Sequence, residues 1–260
     1  MELRKWALRI LSADTLSEKL FSPDILTDLH PGSPLLFKEP VRPVGMQFQR
    51  RSKNEKLPPF HEHHNTDKRA ICLHRFAGHE LLAVEIMAQA LLAFPDAPKH
   101  FRRGVANTLK EEQEHVRLYM ERLQALGLKF GDEPLYRHFW SCVPHLTDPL
   151  RYVSTMSLTF EMANLDFAPM YGKSFARVGD TASAALMDRI LEDEISHVSF
   201  GLNWLKKLKK PEASDWETWT ENLPPQMTPK RATGFVLHEA PRQRAGVSDE
   251  WIQNLKDQLR

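Results

Sequence analysis

Cysteine, charge of one sign and uninterrupted apolar sequence are all scarce in this chain of 260 residues. Only Cys72 and Cys142 occur, so no disulfide framework is expected and nothing calls for an oxidising compartment. Lys plus Arg number 35 and Asp plus Glu 34, a formal charge of +1. That balance argues against a strongly basic protein that coats nucleic acid. No apolar run approaches the ~20 residues that a bilayer span needs, so no membrane partner is expected. The opening stretch MELRKWALRILSADT is interrupted by charge and lacks a small-residue cleavage site. No signal peptide is read there, and the cytoplasm is the expected location. No flavin or nicotinamide fingerprint is present. What remains, 42% hydrophobic and 27% charged residues, is the composition of a soluble globular protein.

Proline is scarce only in the middle. Of 18 prolines, twelve lie in residues 1–60 and 205–260, and six in 61–204. The pattern predicts a helical core at 61–210 between an N-terminal arm, 1–60, that wraps it and a C-terminal arm, 211–260. Short helices are expected around 3–20 and near 248–259. Four long helical segments are predicted in the core. The first covers about 67–94 and ends before Pro95. The second covers about 97–126, with Asp96 as N-cap, Pro98 in the first turn and Gly127 just past the end. The third opens on Asp148-Pro149 and ends near Gly179. The fourth starts at Asp180 or Thr181 and reaches about Lys209. A crossover at 128–147 separates the two pairs. This is the shape of an all-α four-helix bundle with one long connection.

The chemistry-bearing motif is Glu-x-x-His, which places a carboxylate and an imidazole at i, i+3 on one helix face, within reach of one metal ion. It occurs twice, as Glu112-Gln-Glu-His115 and Glu194-Ile-Ser-His197. Helical phase strengthens the signal. Val105, Leu109, Glu112, Val116, Tyr119, Leu123 and Leu126 recur in steps of 4 and 3, a buried seam with Glu112 at its middle. Met187, Ile190, Glu194, His197, Val198, Gly201 and Leu205 form the matching stripe. A carboxylate in an apolar seam is costly unless paired or bound to metal.

The third helix offers one more carboxylate, and the first offers two candidates, Glu80 and, as the alternative ligand or a group behind the ligands, Glu85. Glu161 shares a stripe with Ser154, Leu158, Leu165 and Ala168. Glu80 shares one with Leu73, Phe76, Val84, Met87, Leu91 and Phe94, whereas Glu85 sits on a weaker face. Glu80 to Glu112 is 32 residues and Glu161 to Glu194 is 33. Glu85 and Asp166 each follow the first carboxylate of their pair by five positions. The helix pairs read as pseudo-repeats. Four carboxylates and two imidazoles suit two iron ions, with manganese or a mixed pair as the competitor, better than copper or structural zinc. Asp193 beside Glu194 and Glu111 beside Glu112 are candidates to hydrogen-bond the free ring nitrogens of His115 and His197.

The strings HELLAVE (79–85), EEQEH (111–115), FEMANLD (160–166) and DEISH (193–197) resemble the ferritin-like di-iron carboxylate superfamily. The wider strings FAGHELLAVEIMAQALLAFPDAPKHFRRG and MSLTFEMANLDFAP resemble a ferritin-like family defined only as a domain of unknown function. That family is distantly similar to tRNA-modifying di-iron hydroxylases. The resemblance covers about residues 61–205. It implies Glu80, Glu112, His115, Glu161, Glu194 and His197 as ligands of two iron ions, with Glu112 and Glu194 as bridges. Several oxygenases of the superfamily carry a hydroxyl residue one turn after the third-helix Glu, where this chain has Leu165.

Plainer readings stand beside these. His79 is expected in solvent or behind the ligands, and the His61-Glu-His-His64 cluster in a solvated or capping role. Phe160, Phe167, Phe200 and Trp204 are expected to pack the core. Tyr119, one turn from His115, is read first as a core tyrosine and second as a redox or substrate-facing group. The basic runs at 50–53 and 206–210 are candidates to contact RNA phosphates, and the second is read first as a solvated helix end favourable to the dipole. Pro169 is expected to kink the third helix. The leading functional expectation is an enzyme that activates dioxygen to oxidise a small organic substrate, fed by an external electron donor, as a monomer or small homo-oligomer. The alternatives are a ferroxidase or peroxide-detoxifying protein, and an RNA-modifying hydroxylase. Imidazole ligands bind metal in the neutral form, so metal loss is expected in acid.

Overall fold

The structure, a computed structural model, describes residues 1–50 and 56–259. Residues 51–53 of the first basic run therefore lie outside the described residues. The described chain is mostly helical, with two strands of two residues each, and forms two compact units, Met1–Val143 and Pro144–Arg260.

The first unit opens with α1 (Leu3–Ser12) and α2 (Leu16–Lys19). The sequence predicts one helix here, but Ala13 is extended and Thr15 caps a fresh turn. Leu3, Trp6, Ala7, Ile10 and Leu11 lie on one face of α1 and are buried, the stripe of a helix docked on a core. That core is the hairpin of α3 (Thr66–Ala93) and α4 (Lys99–Ala125), and α1 packs on α3. Asn65 caps α3 by accepting from the Asp67 N–H. Pro95 ends it, because the residue before a proline avoids helical geometry. The same rule corrects the predicted start of α4. Ala97 precedes Pro98, Pro98 itself is extended and serves as the N-cap, and the Ala97 N–H closes a turn on the Phe94 carbonyl. Asp96 is therefore not the cap. The other end is as expected. Gly127 adopts φ +84°, and the N–H groups of Gly127 and Leu128 bond back to Gln124 and Leu123, which closes the orphan carbonyls. β1 (Phe48–Gln49) pairs in parallel with β2 (Leu135–Tyr136).

α3 is long and apolar enough to cross a membrane by length and composition alone, but 83% of its apolar window is buried inside the protein. The expected solvated role of the His61–His64 cluster needs correcting at one residue. His63 is fully buried, with Nε2 3.6 Å from the Cys72 Sγ. Burial lowers the His63 pKa and pushes the Cys72 thiol up to about 12. Both cysteines are free thiols.

In the second unit α5 (Pro149–Thr155), a π-helical segment (Met156–Glu161) and α6 (Met162–Arg177) follow one another without a break. The Asp148 side chain caps the start by accepting from Arg151 N–H. α6 continues through Pro169; the departure from α geometry lies upstream, at 156–161. Gly179, at φ +79°, turns the chain, and Asp180 caps α7 (Thr181–Leu208) by accepting from Ser183 N–H. α6 packs along α7. The tail then forms α8 (Asp215–Glu221), α9 (Glu239–Arg244) and α10 (Asp249–Asp257). Trp216, Trp219 and Trp251 cluster there, with ring centroids 5.1 to 6.0 Å apart.

Candidate metal centre

In the first unit α3 supplies Glu80, and α4 supplies Glu112 and His115. All three are buried, at 6%, 1% and 1% exposure. One potential ligand atom from each lies within 4.8 Å of the others. The His115 Nδ1 is 3.4 Å from the Glu112 Oε2. Two atoms each about 2.1 Å from one ion can stand at that separation. The donor set is hard carboxylate oxygen and imidazole nitrogen with no thiolate, which fits iron or manganese.

Glu85 goes elsewhere. Its carboxylate is buried between the Lys19 Nζ at 2.9 Å and the Arg42 guanidinium at 2.5 Å. Lys19 is fully buried, and desolvation lowers its pKa against the pull of Glu85. Lys19 of α2 and Arg42 thus hold Glu85 of α3, while Glu80 groups with Glu112 and His115. Glu111 is exposed. Tyr119 is buried, with its ring edge-on to Phe76 at 6.2 Å. His79 stacks its ring near Phe139 at 4.8 Å.

In the second unit Glu161 comes from the end of the π segment, and Glu194 and His197 come from α7. They are exposed by 4%, 1% and 1%. Ligand atoms of Glu161 and His197 lie within 4.8 Å of one another. The His197 Nδ1 stands 3.4 Å from the Glu194 Oε2, the spacing found in the first unit. The Asn164 amide donates to the Glu194 Oε1 at 2.7 Å. Asn164 escaped the sequence reading; its one signal is a place three residues after Glu161 on the same helix face, where the other half has Ala83. Asp193 pairs with Arg189 at 3.0 Å on its own helix.

Asp166, five residues after Glu161, is treated like Glu85. It is fully buried and takes the Arg242 Nη1 at 2.6 Å and Nη2 at 2.9 Å, with the N–H groups of Gly234 and His238 completing its shell. Each first-helix ligand candidate is thus followed by a buried acid clasped by an arginine from outside the helix hairpin. Phe160 lies under the Arg231 guanidinium at 5.4 Å, and Phe200 faces Trp204 at 6.4 Å. Lys207 sits over Trp204, while Lys206 and Lys209 face Asp215.

An uncharacterized protein of Haemophilus influenzae is 28% identical to the chain over 154 residues, which cover 56% of this chain and 54% of that protein. The chain therefore matches about half the length of that relative. No solved structure matches it. The model of one family, described as "Protein of unknown function (DUF455)", matches residues 6–253. Since the match takes in both helix hairpins and both candidate ligand triads, the chain belongs to the DUF455 family.

Proposed function

We propose that the two triads jointly hold a pair of metal ions, iron in both positions, in a ferritin-like four-helix bundle. The protein would then be an oxidoreductase that uses dioxygen to oxidise or hydroxylate a small organic substrate. One observation carries this reading. A buried Glu and a buried Glu-x-x-His recur in each unit, with the same 3.4 Å spacing between imidazole Nδ1 and carboxylate Oε2. Two divalent cations would offset the four carboxylate charges that the seams bury. When bound, such a pair supplies electron-transfer and dioxygen chemistry that no side chain here can perform.

The chain's own residues do the rest. Glu80, Glu112, His115, Glu161, Glu194 and His197 hold the ions, and the resemblance implies Glu112 and Glu194 as bridges. Asn164 fixes one oxygen of Glu194, which leaves the other directed at His197. Leu109, Val116, Ile190 and Val198 are buried beside the ligands and exclude water. Electrons come from a partner.

Metal analysis of the protein purified from iron-supplied cells tests the reading. About two iron per chain are expected, and oxygen uptake once the protein is reduced. Glu112→Ala and Glu194→Ala should each bring the content below one. A protein that arrives without metal and takes up neither ferrous nor manganous ion in an anaerobic titration overturns the proposal. Stoichiometric conversion of added ferrous to retained ferric ion, with no organic product, would turn it into a ferroxidase.

A further inference from the structure

We infer that Trp219, in the C-terminal tail, is a positioning residue for Glu161, acting through the π-helical turn that carries it. The inference rests on the metal-binding reading above and deepens it.

The backbone ladder changes pitch just before Glu161. The Met156 N–H bonds to the Tyr152 carbonyl four residues back, whereas the Met162 N–H reaches the Ser157 carbonyl five back. One residue more per turn reorients everything downstream by about 100°, the rotation per residue of an α-helix. Glu161 closes this segment. Its direction is therefore set by whether the wide turn persists.

Isolated π turns are rare and need support. Here the support comes from side chains. The Thr159 hydroxyl donates to the Ser154 carbonyl at 2.7 Å, a reach of five residues, where a helical threonine ordinarily bonds three or four back. The Trp219 indole N–H donates to the same carbonyl at 3.0 Å and lies 3.2 Å from the Thr159 hydroxyl. Trp219, Ser154 and Thr159 are all fully buried. Gly201 of α7 makes room at Ser157: a Cβ there would stand 2.4 Å from the Ser157 Cβ. A helix outside the hairpin thus locks the turn through one directed N–H, although it contributes no ligand.

Three variants read this out through cobalt(II) titration of the metal-free protein, followed by visible absorption. Trp219→Phe keeps the ring and removes the N–H. Thr159→Val removes the hydroxyl and keeps the shape; Thr159→Ser restores it. The wild type should take up two cobalt ions. Trp219→Phe and Thr159→Val should bind one of the two about tenfold or more weakly, the scale of lost support behind a ligand, with an altered ligand-field spectrum. Thr159→Ser should match the wild type in both. If Trp219→Phe keeps the wild-type affinity and spectrum, whatever the Thr159 variants do, the role of Trp219 is wrong and the metal reading stands. If the wild type itself binds no cobalt, the metal reading fails and this role with it. Should Trp219→Phe not fold, Trp219→Leu, apolar and without the N–H, replaces it in the same titration with the same expected loss and the same overturning result.

Discussion

His74 shows how a single buried side chain imposes a pH dependence. It is 1% exposed, and its Nε2 accepts from the Gly131 N–H at 2.9 Å. Protonation would turn that acceptor into a donor facing a donor. Desolvation, helped by Arg75, lowers its pKa from 6.5 to about 4. The unfolded chain therefore takes up a proton below about pH 6.5 and the folded chain only near pH 4. Stability present above pH 6.5 is lost as the pH falls between those values, on the order of 3 kcal/mol in all at 1.36 kcal/mol per unit. Urea unfolding of metal-free protein at pH 7 and pH 4.5 should show that fall, and His74→Gln should flatten it; an unchanged slope in the variant would assign the effect to other groups. Gly201 makes a steric case at the same scale. Gly201→Ala forces its methyl against Ser157 and should cost about 1–3 kcal/mol in the same assay. Neither effect was legible in the sequence. Gly201 was seen only as one member of a stripe, and the acceptor role of His74 depends on a loop 57 residues away. The seams were legible, because burial in α4 and α7 repeats in steps of 3 and 4 and a carboxylate in such a row stands out.

At the scale of elements, periodicity fails where a helix is buried all round. Residues 152–163 are all buried, so a change from α to π pitch leaves no trace in the apolar pattern, and Pro169 draws attention to the wrong turn. Helix ends were easier, since Asp148-Pro149, Gly127 and Gly179 act through local chemistry, but Asp96 lost its capping role to Pro98 two residues on. The sequence leaves the anchoring of the arms unspecified because their partners are distant. Arg42 meets Glu85 across 43 residues and Arg242 meets Asp166 across 76. Such buried pairs are strongly coupled: removing one partner strands a charge, while removing both does not. Arg242→Met alone should therefore lower unfolding stability by about 3–5 kcal/mol. Adding Asp166→Leu to it should recover most of the loss. A double-mutant cycle with coupling near zero would show that the clasp fixes nothing.

The whole molecule repeats one scheme. Each unit joins two helices by a tight turn, carries Glu and Glu-x-x-His at a separation of 32 or 33 residues, and backs its first carboxylate with a clasped acid five positions later. The spacing was visible in the sequence, as was the long connection at 128–147, within which the units divide at 143 and 144. If the triads hold metal as proposed, the ions bind the folded chain and not the unfolded one, so each adds RT ln(1 + [L]/Kd) to its stability, about 2.7 kcal/mol per ion at a hundredfold excess over Kd. For a chain of this size that is a rise of roughly 5–10 °C in Tm for each ion. Chelator should remove it and added ferrous or manganous ion restore it. Glu112→Ala and Glu194→Ala should each blunt the response, although one lies in the first unit and the other in the second. A melting temperature that ignores both chelator and metal would leave the two triads as charge buried without a ligand to hold, and the oxidoreductase reading would fall with them.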